Sequence, residues 1–170
     1  MKTDDYLMQI NEFENKYNYD TTYMRELLET SPEGYKKFDK AMPLVSHHQL
    51  LGLDEYWIAK LAAMKSEDCG ECLQLNVRIA LESGVTKDII KACINGGGAL
   101  SDDHKDVYDF ATRISCNTLD DDKLIERINT RFNKGQLVEL GLCISTAKFF
   151  PTTKRALGYT KSCSLIEIQV

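Results

Sequence analysis

Apolar residues recur along this chain at helical spacing, and that period restricts the fold more than any other feature. Val107, Phe110, Ala111 and Ile114 fall at i, i+3, i+4 and i+7, and Leu124, Ile125, Ile128 and Phe132 line one side of the next segment. At 3.6 residues per turn each set gathers on one face, which predicts amphipathic helices turned toward a shared core. Start signals agree: Ser31 before Pro32, Asp54 before an apolar run containing Tyr56, Trp57, Ile58 and Leu61, Thr86 before Lys87-Asp88, and Ser101 before Asp102-Asp103. Each offers a side-chain oxygen to the unpaired N–H groups of a first turn. Gly84, the Gly96-Gly97-Gly98 run, Gly135 and Gly158 are the matching stops, and Pro32, Pro43 and Pro151 punctuate helices. The segment from Gln136 to Phe150 is apolar on more than one face (Leu137, Val138, Leu140, Leu142, Ile144, Ala147), as expected of a helix running through the core or an interface. Only the tail, where Leu165, Ile166 and Ile168 precede Val170, has the look of a strand. The expected fold is all-α: a helical bundle of about seven or eight helices with short connections and at most one short C-terminal strand.

The length of 170 residues, 43% of them hydrophobic, suits a single domain with one continuous core. A net charge of −5, with neither sign gathered into a block, argues against a nucleic-acid partner, which needs a cationic surface. The opening MKTDDYLMQINEFE carries acids where a signal peptide needs an apolar stretch, and no segment approaches the roughly 20 apolar residues of a membrane span. The expected location is cytoplasmic, without membrane association. Six cysteines are too sparse for a disulfide-stapled secreted scaffold, so a functional pair must be marked by its spacing.

One pair is so marked. In Glu67-Asp68-Cys69-Gly70-Glu71-Cys72-Leu73-Gln74-Leu75-Asn76, Asp68 can cap a helix and Glu71, three residues on, can complete a capping box. That puts Cys69 at the first helical position and Cys72 one turn later, with both sulfurs on one face. Unpaired N–H groups at a helix start favour thiolate over thiol, and a second thiol one turn away can resolve a mixed disulfide. The carboxylates of Glu67, Asp68 and Glu71 oppose that tuning. Two core cysteines on a helix would give the same spacing. A structural zinc site would need four ligands, and Cys93, Cys116, Cys143, Cys163 and His104 are scattered singly. Cys93, Cys116 and Cys143 sit inside apolar helical patterns and read as small buried side chains. No metal or organic cofactor is called for.

Cys69-Gly70-Glu71-Cys72 at a helix start, followed by an alanine and Gly84-Val85-Thr86-Lys87-Asp88-Ile89-Ile90, resembles the carboxymuconolactone decarboxylase/AhpD-like family. Val107-Tyr108-Asp109-Phe110-Ala111, Leu137-Val138-Glu139-Leu140-Gly141 and Lys154-Arg155-Ala156-Leu157-Gly158 look like the C-terminal half of that family. The resemblance covers residues 50–160, leaving 1–50 as an N-terminal helical extension of a single 1–170 domain. It implies an all-helical fold, assembly into a homo-oligomer (dimer, trimer or hexamer), and, in the AhpD branch, peroxide-linked disulfide reductase activity through the cysteine pair. The decarboxylase branch, which acts on a small lactone acid, typically lacks that pair.

Carried over residue by residue, the attacking thiol of the AhpD motif falls on Cys72 and its partner on Cys69, whereas the helix-start argument alone favours Cys69. The family's upstream glutamate falls at Trp57, with Glu55 two residues earlier able to fill the role if the loop is longer. Asn76 stands where the AhpD motif has histidine, and Glu71 where it often has histidine or tyrosine. Asn76 cannot take a proton as imidazole can, so Glu55, Glu71 or a histidine from elsewhere, such as His47 or His48, would have to substitute. The same stretch also looks like a branch of the family carrying DCGxCxQL.

The expectation is thus a thiol-disulfide oxidoreductase, an AhpD-like antioxidant peroxidase, that reduces a small peroxide or disulfide through Cys69 and Cys72 and is restored by a dithiol reductant. A decarboxylase-like enzyme for a small carboxylate is the rival, with only Arg78 and the more distant Lys60 and Lys65 as cations. A non-catalytic redox-sensing or structural oligomer is the other.

Overall fold

The computed structural model describes residues 3–159 and 168–170. Among them every regular element is helical: α1 Thr3–Tyr17, α2 Thr22–Thr30, α3 Pro32–Lys40, α4 Met42–Val45, α5 Leu53–Ser66, α6 Gly70–Glu82, α7 Lys87–Ile94, α8 Asp102–Ser115, α9 Asp122–Arg131, α10 Lys134–Thr146 and α11 Phe149–Ala156. The all-α expectation holds, but the count exceeds seven or eight because continuous-looking segments are broken. Ser31 and Pro32 end α2 and open α3, as their start signal predicts, since proline brings no N–H to the preceding helix. The apolar segment 136–150 divides between α10 and α11, and α4 is a single turn. All three prolines lie in first turns, where the missing N–H has no intrahelical partner to lose.

Several helix boundaries match the sequence. Ser31 accepts from the Gly34 N–H at 3.2 Å and Thr86 from the Ile89 N–H at 3.4 Å. Gly84 and Gly97 leave their helices at φ of +100° and +79°, the left-handed region that glycine enters without a Cβ clash. Others correct the sequence reading. Gly52 rather than Asp54 precedes α5, and Ser101 sits at the cap of α8 without a side-chain bond. Gly135 is not a stop: it lies inside α10, whose start is fixed one residue earlier by a reciprocal bond pair between Asn133 and Gln136, both at 3.0 Å. Residues 160–167 of the strand-like tail lie outside the described residues, and 168–170 are not in a strand. Instead, the Gln74 side-chain amide engages the Gln169 backbone, donating to its carbonyl at 3.0 Å and accepting from its N–H at 2.8 Å.

The interior is organised around α5, in which every residue from Tyr56 to Met64 is buried. A helix without a solvent face needs apolar partners on all sides, and α6, α7, α8 and α10 supply them. A second, aromatic-rich cluster joins α1, α2 and α3 to this unit. Its contacts include Tyr6 against Tyr35 edge-on at 5.2 Å and Phe38 stacked on Phe149 at 5.2 Å, which pins α3 to α11. No helix among the described residues is long and apolar enough to cross a membrane.

One polar residue inside α10 holds the loop before α5. Glu139, 1% exposed, accepts from the backbone N–H groups of Gln49, Leu50 and Leu51 at 3.0, 2.8 and 3.1 Å. Burial by itself would raise this carboxyl, but the three N–H donors outweigh it and hold its pKa below the ordinary value of 4.5. A depressed folded-state pKa means the stabilisation is present above the unfolded value and is lost as pH falls through the folded one. Glu139→Gln, which cannot offer two anionic oxygens to three donors, is therefore expected to cost about 1–3 kcal/mol in urea unfolding at pH 7. The gap to wild type should narrow as the pH is lowered through the acid range; a gap independent of pH would show that the carboxylate charge is not involved.

Candidate functional site

The cysteine pair lies in the tight connection between α5 and α6. Asp68 adopts φ +51°, a left-handed conformation that its short polar side chain tolerates better than most, and this reverses the chain within three residues. Cys69 follows in extended conformation (φ −117°, ψ 92°) as the N-cap, and α6 begins at Gly70. This shifts the expected register by one residue: Cys69 precedes the first turn rather than opening it, and Cys72 occupies the third helical position. The Asp68–Glu71 capping box does not form. Glu71 is drawn away to a lysine from α11, and no side chain caps this helix start. The two sulfurs nonetheless meet, with Cys69 Sγ 2.6 Å from Cys72 Sγ and each residue 2% exposed.

Helix α11 supplies the electrostatics that the sequence left open. Lys154, with no exposed side-chain surface, donates to Glu71 Oε2 at 2.8 Å and lies 5.0 and 5.4 Å from the ring centres of Tyr19 and Tyr23. Burial disfavours its charge, but the Glu71 hydrogen bond and the adjacent Cys72 and Cys69 outweigh that and raise its pKa, so it remains an ammonium ion. Arg155 donates to the Glu67 carbonyl and carboxylate, both at 2.7 Å, and Lys148 stands 3.5 Å from the same carboxylate. Two of the three acids that oppose thiolate formation are thus neutralised by cations, one of which is buried within electrostatic reach of both cysteines.

A hydroxyl completes the arrangement. Tyr19, in the connection between α1 and α2, places its oxygen 3.7 Å from Cys72 Sγ in hydrogen-bonding geometry. Burial pushes the phenols of Tyr19 and Tyr23 upward, so both stay protonated at neutral pH and able to donate.

The other sequence candidates fall elsewhere. Asn76, one turn beyond Cys72, donates its amide to the Cys72 carbonyl at 2.8 Å and so supports the helix backbone rather than the sulfur. Glu55 pairs with Arg131 at 2.7 Å in the first turn of α5, about 16 Å of helix away from Ser66 at the cysteine end. His48 stacks on Tyr56 at 4.4 Å and bonds the Leu51 carbonyl, and His47 lies 3.9 Å from Glu139, so neither histidine joins the dithiol. Arg78 donates to the carbonyls of Tyr17 and Asn18, and Lys65 to that of Ile94. Cys93 and Cys143 are buried as expected, with burial pushing their thiols up to about 12 and about 11. Cys116 departs from its reading: it caps the end of α8 and is exposed, because the buried stripe runs through Val107, Ala111 and Ser115 and the next residue turns about 100° away from it. Cys163 lies outside the described residues. Among the described residues, no three His, Cys, Asp or Glu side chains gather as metal ligands would.

Lys154 and Tyr19 are the two contributors that sequence reasoning missed. Neither belongs to a local motif: they lie 82 residues after and 53 residues before Cys72. A lysine in the last turn of an amphipathic helix ordinarily reads as a solvated charge. Compared with protein-family models, curated proteins and solved structures, the chain matches none.

Replacing Lys154 by methionine keeps the side chain's length and removes its charge. Iodoacetamide alkylation of the cysteine pair as a function of pH should then shift by about one unit toward alkaline pH. An unchanged profile would dissociate Lys154 from the thiols. Glu71→Gln leaves Lys154 buried without a counter-charge, with an expected loss of about 2–3 kcal/mol on urea unfolding.

Proposed function

We propose that this protein is a thiol-disulfide oxidoreductase of AhpD-like type, in which Cys69 and Cys72 cycle between dithiol and disulfide while reducing a small peroxide. The observation that carries this reading is the contact of the two sulfurs, 2.6 Å apart, beside a buried ammonium paired with Glu71. Two sulfurs this close, three residues apart in sequence, are placed to pair with each other. The resemblance of the cysteine segment to the carboxymuconolactone decarboxylase/AhpD-like family supports the same reading.

In the proposed cycle Cys72 is the attacking thiol, because Tyr19 contacts its sulfur directly and Lys154 offsets its negative charge. The thiolate attacks the outer peroxide oxygen, the O–O bond breaks, and the departing alkoxide or hydroxide takes a proton from the Tyr19 hydroxyl, which touches the Cys72 sulfur and regains the proton that Cys72 gave up on forming its thiolate. Cys72 is then a sulfenic acid. The Cys69 sulfur attacks it, a disulfide forms, and water leaves. A dithiol donor reduces the disulfide by exchange and is itself oxidised, which balances the two electrons taken by the peroxide. Exposure of only 2% at each cysteine favours a small peroxide over a protein disulfide as oxidant. Glu55 and Asn76 have no part in this cycle, and Glu71 acts through Lys154 as a positioning residue.

Homo-oligomerisation belongs to the same proposal. Val138 on α10 is 63% exposed and Leu50, in the loop before α5, 54%, and the Gln136 amide on α10 bonds the Leu50 carbonyl at 3.1 Å. This apolar end would suit a contact between copies of the chain.

The burial that favours a small oxidant also favours a second reading, a redox sensor that oxidises once without turnover. Hydrogen peroxide consumption with dithiothreitol as donor separates the two. Catalysis predicts many turnovers per chain in wild type and none in Cys72→Ser. In Cys69→Ser the sulfenic acid should accumulate on Cys72, where dimedone traps it. One equivalent consumed per chain under excess dithiothreitol would select the sensor, and no disulfide after peroxide treatment would eliminate both.

A further inference from the structure

Between the N-terminal helices and the central unit lies a cavity of about 500 Å³, within the range that holds small organic molecules. One wall is a stripe along α5, from Leu53 through Tyr56, Trp57 and Lys60 to Met64, about 16 Å long. The facing walls come from α1, α3, α4 and α6 and are mostly aromatic or aliphatic, Phe13, Tyr35, Phe38 and Ile79 among them.

Lys60 is the anomaly in this wall. It is 3% exposed, and its ammonium donates to the carbonyls of Val45 and Cys143 at 3.0 and 3.3 Å and to Thr146 Oγ1 at 3.0 Å. All three acceptors are neutral. No carboxylate among the described residues lies within ion-pair distance of it, in contrast to Lys154, which has Glu71. A buried cation without a counter-charge is costly, and burial pushes its pKa down accordingly. Asp39 on α3 is the one carboxylate among the lining residues, and it stands beside Tyr35. Trp57, one turn before Lys60 on the same face, is 7% exposed and lines the cavity too, so its indole N–H is a second donor on this wall. A cation and a donor on one apolar wall are complementary to an anionic oxygen carried by an apolar body.

We propose that this cavity binds an amphipathic monoanion, an alkyl or aryl carboxylate, with its charged end at Lys60 and its apolar body along α5. The bound carboxylate supplies the counter-charge that the protein withholds. The Val45 carbonyl, at the end of the one-turn helix α4, is the acceptor most readily exchanged for it. Tyr19, which touches Cys72 Sγ, lines the same cavity, but the cysteines themselves do not, and the assignment of Lys60 does not depend on the redox reading.

Isothermal titration of the full chain with decanoate and with 1-decanol tests the assignment. Decanoate is expected to bind at least about tenfold more tightly than the alcohol. Lys60→Met, an apolar replacement of similar length whose folding is checked by circular dichroism, should abolish that preference and leave decanol unchanged. Ile79→Trp, which fills the cavity from α6, should weaken both ligands. A Cys69→Ser/Cys72→Ser double variant should bind as wild type does, which keeps this site independent of thiol chemistry. Equal affinity for decanoate in wild type and Lys60→Met would overturn the proposal. So would no decanoate binding, or binding undiminished by Ile79→Trp.

Discussion

Complete burial of α5 is the constraint on which the rest of the structure depends. A run of nine buried residues leaves no face for water, so the flanking helices must present apolar stripes to it from every side. That requirement explains why α6, α7, α8 and α10 are amphipathic or apolar while the outer α9 is strongly polar on one face. It also explains the handling of Lys60. An ammonium drawn into this helix must find acceptors from whatever backbone is near, and the carbonyls of Val45 and Cys143 serve. The two chemical features of the protein, the dithiol and the cavity, lie at the end and along one side of this helix.

Around the dithiol, a few buried charges do what the local sequence could not. Glu67 and Glu71, taken alone, would repel a thiolate. Their pairing with Arg155 and Lys154 turns an acidic turn into a nearly neutral one with an ammonium ion inside it. The same contacts tie α11 across the connection between α5 and α6, so electrostatics and packing hold the turn together. Aromatic contacts from the N-terminal helices close the site, with Tyr19 and Tyr23 flanking Lys154 and Phe38 stacked on α11. Residues 1–50, an extension in the sequence reading, therefore supply part of the dithiol's environment and much of the cavity wall.

Much of the fold was legible because it rests on local rules. The apolar period set the helices, and Ser31, Thr86, Gly84 and Gly97 marked their ends through hydrogen bonds and backbone angles that span no more than four residues. Where expectation failed, a longer-range partner had won. Glu71 could have capped α6, but Lys154 offered a charge-assisted bond from 83 residues away. Gly135 could have stopped a helix, but Asn133 and Gln136 formed a better start two residues before it. Glu55 had the right residue type for a proton relay, but Arg131 holds it at the far end of α5.

The sequence by itself determined the helical class, several helix boundaries and the approach of two sulfurs at a helix start, because each follows from spacing within one or two turns. Only the tertiary structure decided which charges surround those sulfurs, that a tyrosine from the N-terminal segment touches one of them, and that a lysine is sealed in a cavity without a counter-ion. These depend on which distant helices pack together. A buried charge is governed by its nearest partner in space, and the sequence around it does not name that partner.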